Sequence, residues 1–494
     1  MGMAPATTAL SPATLARVVT GWDGGDGPLY RRLASAVVAA LDRGDVPRGA
    51  RLPAERDAAR ALGVARGTVV AAYDLLRDAG VVERRRGSGT WVVDGGAPQL
   101  RLHELAAGLR ARQLTRDTID RGGAVVDLAL SVLPSLDGLP PDAFTLDPTT
   151  LAAAAHGHGY HPAGLPALRE RLAALHSAHG LPTTADQIVV TLGAQQGVAL
   201  TARLLVQPGD VVAVESPTYP GAIDVYSRAG ARFATMGGDS AGVLPDEVER
   251  VVAATGPRLV YVVPTGHNPR GTVLPDHRRR ALAAVADDRD TWLVEDECLA
   301  WLAYDRDGPP LPVAAHGRDR RVLTICSLSK VLWGGLRLGW VRAPEPAAAR
   351  LSRLKAALDL GNSAVSQMVV LGLFDRIEAI AAGRRRSLAA GARLLRELLA
   401  EAVPGWTSRP PDGGLSLWVR LPEGTGDAFA PVALRHGVRV LPGSAASPDE
   451  AHVDHLRLAV SLPPDRLRLA SRRLAAAWDE FTCPSGARHP RSAS

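Results

Sequence analysis

"ICSLSKVLWGGLRLGW", residues 325–340, is the stretch on which the reading of this 494-residue chain turns. It begins as an apolar, β-branched run and passes into the polar "SLSK" and then a glycine-rich turn. Of 57 lysines and arginines in the chain, only Lys330 and Lys355 are lysines. An amine can shed its proton and attack a carbonyl, whereas a guanidinium stays protonated. Two surviving lysines can also fall anywhere by chance, so the surrounding sequence has to decide whether Lys330 is a reactive amine.

Working outward, β-rich runs alternate with helical ones. They are "QIVVTLGAQQGVALTARLLV" (187–206), "DVVAVES" (210–216), "ARFATM" (231–236), "RLVYVVP" (258–264), "RRALAAVADD" (279–288), "TWLVEDE" (291–297) and "RVLTICSLSK" (321–330). Such alternation predicts an α/β body with a mostly parallel sheet covered by helices. Ligands bind at the carboxyl ends of such strands. The polar punctuation falls there: "TLGAQQG", "ESPTYP", "PTGHNPRG", "VEDE" and "SLSK".

Those segments supply what pyridoxal phosphate needs. The cofactor requires an amine to hold it, an acid against its pyridine nitrogen, a phosphate cradle and a flat group over its ring. Lys330 offers the amine and Asp296 the acid. Gly193, Ala194 and Gln195 open a helix whose free N–H groups can take an anion. Ser327, Ser329 and Arg337 bracket the lysine and can complete the phosphate shell. Tyr219 can stack on the ring, and Asn268 can donate to its phenolic oxygen. Each has a plainer reading: Asp296 as a helix cap, Asn268 as a turn residue, Tyr219 as core, "GAQQG" as an ordinary helix start.

The order of the segments, closing with "GLRLGW" and "HLRLAVS", resembles that of the fold-type I aminotransferases across residues 125–482, with a smaller C-terminal α+β part. The resemblance implies that Lys330 holds the cofactor and that Asp296 partners the pyridine. It implies that Asn268 donates to the ring oxygen, Tyr219 stacks, and Ser327 and Arg337 bind phosphate. By the same likeness Arg457 grips a substrate α-carboxylate with its planar fork. Tyr160, in "GYHPAG", reaches the phosphate of a neighbouring subunit, which makes the chain a homodimer. Two departures stand out. Cys298 occupies a position where a tyrosine is usual, and a thiol is a weak donor. Trp333 to Gly335 replace an Ala-Pro-Gly-like turn.

The N-terminal part differs in charge. Residues 28–93 hold twelve arginines and seven acids, a net of +5 against +6 for the whole chain. Residues 1–24 read as a flexible arm. Three helical patterns and a hairpin around "GSG" follow within 25–93, predicting a winged helix-turn-helix whose third helix enters the major groove. Arg84, Arg85 and Arg86 are expected at the hairpin tip. The stretch "LPAERDAARALGVARGTVVAAYDLLRDAGVVERRRGSGTWV" resembles the GntR family of bacterial repressors. That likeness implies DNA contacts from Arg56, Arg66, Thr68 and the wing near Gly87. Ala65 and Gly67 stand where the family usually has Ser and Thr. Residues 94–124 read as a linker and 483–494 as a disordered tail.

A GntR-type winged helix ahead of an aminotransferase-like body is the signature of the MocR subfamily of transcriptional regulators. The resemblance implies a PLP-dependent, DNA-binding homodimer that senses an amino compound or PLP itself. The rivals are an active aminotransferase with an accessory DNA-binding head, and a plain dimeric repressor that has lost its cofactor; the intact lysine and its partners argue against the second. No run approaches the ~20 apolar residues of a membrane span. No signal peptide is expected, and three cysteines without metal-ligand spacing fit a reduced, cytoplasmic setting.

Overall fold

The computed structural model describes residues 9–22, 29–78, 80–85, 88–93, 125–133, 138–146, 148–154, 157–289, 291–318, 320–449 and 451–482. The chain divides into two compact units, the boundary falling at Thr115 and Arg116. The linker expected over 94–124 and the tail expected over 483–494 lie outside the described residues.

The first unit is built on α1 (Pro12–Val18), α2 (Leu29–Asp42), α3 (Glu55–Leu62) and α4 (Arg66–Asp78), followed by β1 (Val82–Arg85) and β2 (Gly89–Val92). The strands pair antiparallel, Val82 opposite Val92 and Arg85 opposite Gly89. Leu33, Val37, Ala58, Val69, Leu76, Val82 and Val92 form one core. This is the expected winged helix with two corrections. The arm expected over 1–24 contains α1, whose start is capped by Ser11 Oγ accepting from the Thr14 N–H. Leu15 of α1 is fully buried in the same core, so hydrophobic burial orders that segment. Arg84 and Arg85 lie within strand β1 rather than at the hairpin tip. Arg86 and Gly87 fall outside the described residues.

The second unit opens with β3 (Val126–Asp127), then carries β4 (Ile188–Thr191), β5 (Val211–Glu215), β6 (Arg232–Met236), the small hairpin β7 (Gly238–Asp239) and β8 (Gly242–Val243), β9 (Leu259–Val262), β10 (Trp292–Asp296), β11 (Val322–Ser327) and β12 (Gly339–Arg342). Seven of these make one sheet in the order β4-β12-β11-β10-β9-β5-β6. All pairings are parallel except those of β12, which runs against both β11 and β4. Apolar side chains alternate across the sheet, as the pleat requires. Val212, Val214, Tyr261, Val294 and Ile325 pack under the helices Ala194–Leu205, Pro220–Arg228 and Glu345–Asp359. Ala213, Val260, Val262 and Leu293 face the other way, toward Pro245–Thr255 and Asp276–Asp288.

A smaller sheet, β13 (Thr407–Ser408), β14 (Ser416–Arg420), β16 (Leu441–Pro442) and β17 (His455–Ala459), is antiparallel. The short β15 (Val438–Arg439) pairs in parallel with β3, tying the first strand of the unit to this C-terminal part. The long helix Ile377–Ala402 and the last helix, Pro464–Thr482, contribute to the core around it. No helix among the described residues is long and apolar enough to cross a membrane.

Behind the strand ends Arg279 is wholly buried. Its Nη1 donates to Glu297 Oε1 at 2.7 Å, Nε to Leu274 O, and Nη2 to Pro264 O and Thr265 Oγ1. One guanidinium thus braces the exits of β9 and β10. Arg279→Met leaves Glu297 buried without its cation. We expect a loss of about 3–5 kcal/mol in the large unit, read by calorimetry of the full chain; an unaltered transition would contradict this bracing role.

Candidate cofactor and DNA sites

The polar strand exits converge. Asp296 ends β10 and is 2% exposed. The alternation of the strand resolves the ambiguity of "EDE". Glu295 and Glu297 turn away: Glu295 accepts from Val313 N, Ala314 N and Thr324 Oγ1, and Glu297 is paired with Arg279. Asp296 is met by neutral donors, Tyr261 OH at 2.8 Å and Cys298 N at 3.1 Å. Among the described residues no ammonium or guanidinium is hydrogen-bonded to it. Burial raises its pKa, the Tyr261 and Cys298 bonds opposing the shift. The Cys298 thiol is pushed well up by burial, with the Asp296 charge adding to it.

Lys330 follows β11 by three residues, and its Nζ donates to Ser131 O at 2.8 Å. Burial holds its pKa below the ordinary lysine value, which favours the neutral, nucleophilic amine. Ser327 is buried; its hydroxyl donates to Leu338 O and accepts from Ser329 N. Gly193 caps the helix Ala194–Leu205 at φ 91°, a conformation open to glycine. A Cβ there would sit 3.6 Å from Ser329 Oγ and 3.7 Å from Arg337 Nη1, so backbone, hydroxyl and guanidinium surround one small space. Gly339 lets that loop approach, since a Cβ on it would lie 2.9 Å from Gly193 Cα. Arg337 itself adopts φ 49°, unusual for a long side chain, and its Nη2 donates to Leu192 O at 2.5 Å. The preceding Trp333 is partly exposed, edge-on to Phe144 at 5.8 Å.

Tyr219 OH donates to Gln195 Oε1 at 2.8 Å, and Gln195 Nε2 donates to Gly221 O, so the Gln195 side chain holds the tyrosine while its backbone opens the helix. Arg457, on β17, is 5% exposed. Its Nη1 donates to Asn268 Oδ1 at 3.1 Å and its Nη2 to Ala129 O; its Nε is buried with no partner. With its oxygen taken by Arg457, Asn268 keeps its amide N–H groups to offer. Burial lowers the Arg457 pKa to about 10. Tyr160 stands apart at 58% exposed, its ring stacked on His158 at 5.7 Å. Among the described residues no cluster suited to a metal ion occurs.

In the winged-helix unit Arg66 opens α4 and Arg84 lies on β1, both exposed. One carboxylate joins them. Glu55 Oε2 accepts from Arg66 Nη2 at 3.1 Å and Oε1 from Arg84 Nη2 at 2.6 Å. Arg84 also lies 3.5 Å from Asp74. Arg85 pairs with Glu83 and lies over Trp91 at 4.8 Å. Arg56 is exposed on α3, and Thr68 is half-buried in the first turn of α4.

The model for aminotransferase class I and II matches residues 125–474. The model for bacterial regulatory proteins of the gntR family matches residues 29–92. The chain is 28% identical over 457 residues to the uncharacterized HTH-type transcriptional regulator YdfD of Bacillus subtilis, covering 87% of this chain and 92% of that one. It is 30% identical over 356 residues to the probable rhizopine catabolism regulatory protein MocR of Rhizobium meliloti, covering 67% and 68%. The chain belongs to the MocR-type regulators of the gntR family. Among solved structures it resembles LysN, the α-aminoadipate aminotransferase of Thermus thermophilus complexed with N-(5'-phosphopyridoxyl)-L-leucine. That match has a TM-score of 0.68 and 25% identity, covering 76% of this chain and 97% of that one.

The cofactor of a MocR-type body is pyridoxal phosphate, and the residues present fit it. A buried carboxylate with no cation hydrogen-bonded to it among the described residues suits a protonated ring nitrogen, and the space bounded by Gly193, Ser329 and Arg337 suits a phosphate. Three contributors carry no signal in the sequence. Tyr261 lies in the apolar run "LVYVVP"; only its register opposite Val294 on β10 shows that its hydroxyl reaches Asp296. Ala129 and Ser131 act through backbone carbonyls, which carry no residue signature.

In the DNA-binding unit Glu55 holds Arg66 and Arg84, and it would compete with a phosphate for Arg84. Glu55→Gln is expected to raise affinity for random duplex several-fold. It should also steepen log K against log salt by about 0.9 for a released Arg84. Fluorescence anisotropy across a salt series measures both; an unchanged slope would mean that Arg84 does not reach a phosphate.

Proposed function

We propose that this regulator is a cytoplasmic homodimer whose large unit holds pyridoxal phosphate at Lys330 and reports the arrival of an amino compound to DNA. The cofactor, when bound, supplies a carbonyl that takes up primary amines and an electron-poor ring. Asp296, steadied by Tyr261, keeps the proton on the ring nitrogen. The Asn268 amide donates to the ring oxygen, and Tyr219 packs on the ring. The N–H groups at Gly193, Ala194 and Gln195, with Ser327, Ser329 and Arg337, take the phosphate. Tyr160, exposed on one subunit, reaches the phosphate of the other. Arg56, Arg66 and Thr68 read the DNA, while Arg84, Arg85, Arg86 and the backbone at Gly87 lie along it. Two winged helices call for paired half-sites in the operator.

The observation that carries the sensing role is the backbone contact at Ala129. Its carbonyl takes a hydrogen bond of Arg457, the group that an amino acid's carboxylate needs, and it lies two residues before Ser131, whose carbonyl accepts from Lys330 when that amine is free. A ligand carboxylate takes Arg457 from Ala129, and the ligand's amine would replace Lys330 on the cofactor's carbonyl, leaving the Lys330 amine free. The released segment runs through β3 into residues 94–124, which lead to the DNA-binding unit. Occupancy and DNA geometry are then linked, provided that the ligand favours one arrangement over the other.

The intact set of Lys330, Asp296, Asn268 and Arg337 also supports an active aminotransferase. Turnover requires Lys330 to move a proton at the substrate carbon with a pKa near the working pH, and a keto acid to leave. A sensor instead gains when its ligand stays. We therefore expect at most slow half-transamination. Sustained turnover on the order of 1 per second with a panel of amino donors and keto acids would establish the enzyme reading instead.

Borohydride reduction of the cofactor-loaded protein and peptide mapping should place the label on Lys330; label on Lys355, or none, overturns the assignment. Arg457→Met should weaken the spectral response to carboxylate-bearing amines about 100-fold. It should leave simple alkylamines little affected, as titration by visible absorbance will show.

A further inference from the structure

The second lysine of the chain is absent from the site as described so far. Lys355 lies in the helix Glu345–Asp359 with its side chain fully buried, in a protein that, Lys330 apart, uses arginine in place of lysine everywhere else. Its Nζ lies 2.7 and 2.8 Å from the two oxygens of Asp359, one turn further on. Asp359 Oδ2 accepts from Gln196 Nε2 at 2.6 Å. Gln196 Oε1 accepts from Leu192 N at 2.8 Å, and Leu192 O accepts from Arg337 Nη2. Leu192 immediately precedes Gly193. The path therefore runs from the buried ammonium, through one carboxylate and one amide, to the N–H of the residue before the phosphate cradle, whose carbonyl is held from the other side by Arg337.

Each link constrains the next. A carboxylate turned into the protein without a cation would swing toward water, and Gln196 would lose the acceptor that fixes its amide. Leu192 N would then lose its partner, leaving the φ 91° turn at Gly193 without its outer support. A compact ammonium can reach both oxygens of a carboxylate on the same helix, one turn away. A planar guanidinium with five donors needs more room and more acceptors. That difference gives a physical reason for retaining lysine here.

We propose that Lys355, acting through Asp359 and Gln196, is a positioning residue for the cofactor's phosphate. The inference rests on the reading of the site as a pyridoxal phosphate site. Its signature is selectivity: disturbing the path should weaken binding of the phosphorylated cofactor and spare that of pyridoxal, which has the same ring and carbonyl but no phosphate. A role confined to helix stability would affect the two ligands alike.

The test uses full-length protein stripped of cofactor and titrated separately with pyridoxal phosphate and pyridoxal by visible absorbance. Lys355→Met and Gln196→Met are each expected to weaken pyridoxal phosphate about tenfold while pyridoxal changes by less than about twofold. If Lys355→Met does not fold, Gln196→Met carries the test alone, because it cuts the path and leaves the ion pair intact. Equal losses for both ligands, or no loss for either, overturn the proposal. A wild-type protein that binds neither ligand removes the cofactor reading, and the proposal with it.

Discussion

A carboxylate sealed from water has to be compensated, and the arrangement around Asp296 follows from the way it is compensated. Two neutral donors meet its oxygens, whereas the adjacent Glu297, just past the strand end and turned the other way, has the full charge of Arg279. Lys330 acts on its charge from a distance but is not bonded to it, and burying an ionised group without a paired cation costs several kcal/mol, so the strand end suits a cation that arrives with a ligand. The parallel sheet places this charge and the amine of Lys330 at neighbouring strand exits, β10 and β11. The antiparallel β12 then returns beside β11 and brings Gly339 against Gly193, closing the phosphate side of the same space. Electrostatics and topology thus converge on one position.

The DNA-binding unit handles charge differently. Arg66 and Arg84 remain in solvent, where an ion pair contributes little to stability, and Glu55 serves instead to orient them. By holding Arg66 and Arg84 on one carboxylate, it sets the start of the reading helix and the wing at a fixed spacing before DNA is met. On the proposed DNA contacts, partial neutralisation would cost affinity and favour geometry, since base contacts specify while phosphate contacts position.

What was legible in the sequence followed the kind of signal each residue carries. Lys330 stood out because lysine is so scarce, and Asp296, Asn268 and Tyr219 because polar residues interrupt apolar runs at strand exits. Gly63, closing α3 in the left-handed region, is the sort of helix stop that spacing reveals. Leu15 was legible but overlooked: Leu15, Val18, Val19 and Trp22 stand at helical spacing behind a Ser11-Pro12 start, and the Gly- and Asp-rich run that follows drew the reading of an arm over the whole segment. The placement of Arg84 and Arg85 depended on where the hairpin turns, and element boundaries are set by tertiary pairing. Tyr261 was hidden because an aromatic in a β-rich run reads as core until register shows where its hydroxyl ends.

The size of the exchange at Arg457 bears on whether such a site can signal. In the structure its Nη2 bonds a neutral peptide carbonyl, Ala129 O. A ligand carboxylate replaces that with a charge-assisted bond, roughly twice as strong as a neutral one. Since a neutral bond contributes about 0.5–1.5 kcal/mol net, the gain from the exchange is about 1 kcal/mol. Expressed wholly as a preference for one arrangement, that gain stands at the low end of the roughly 1–3 kcal/mol typical of coupling between sites, about 5-fold in DNA affinity. A ligand lacking the carboxylate forfeits it. On this reading the effector's class is set by what can both displace Ala129 and take up the cofactor's carbonyl, namely a primary amine carrying an acid.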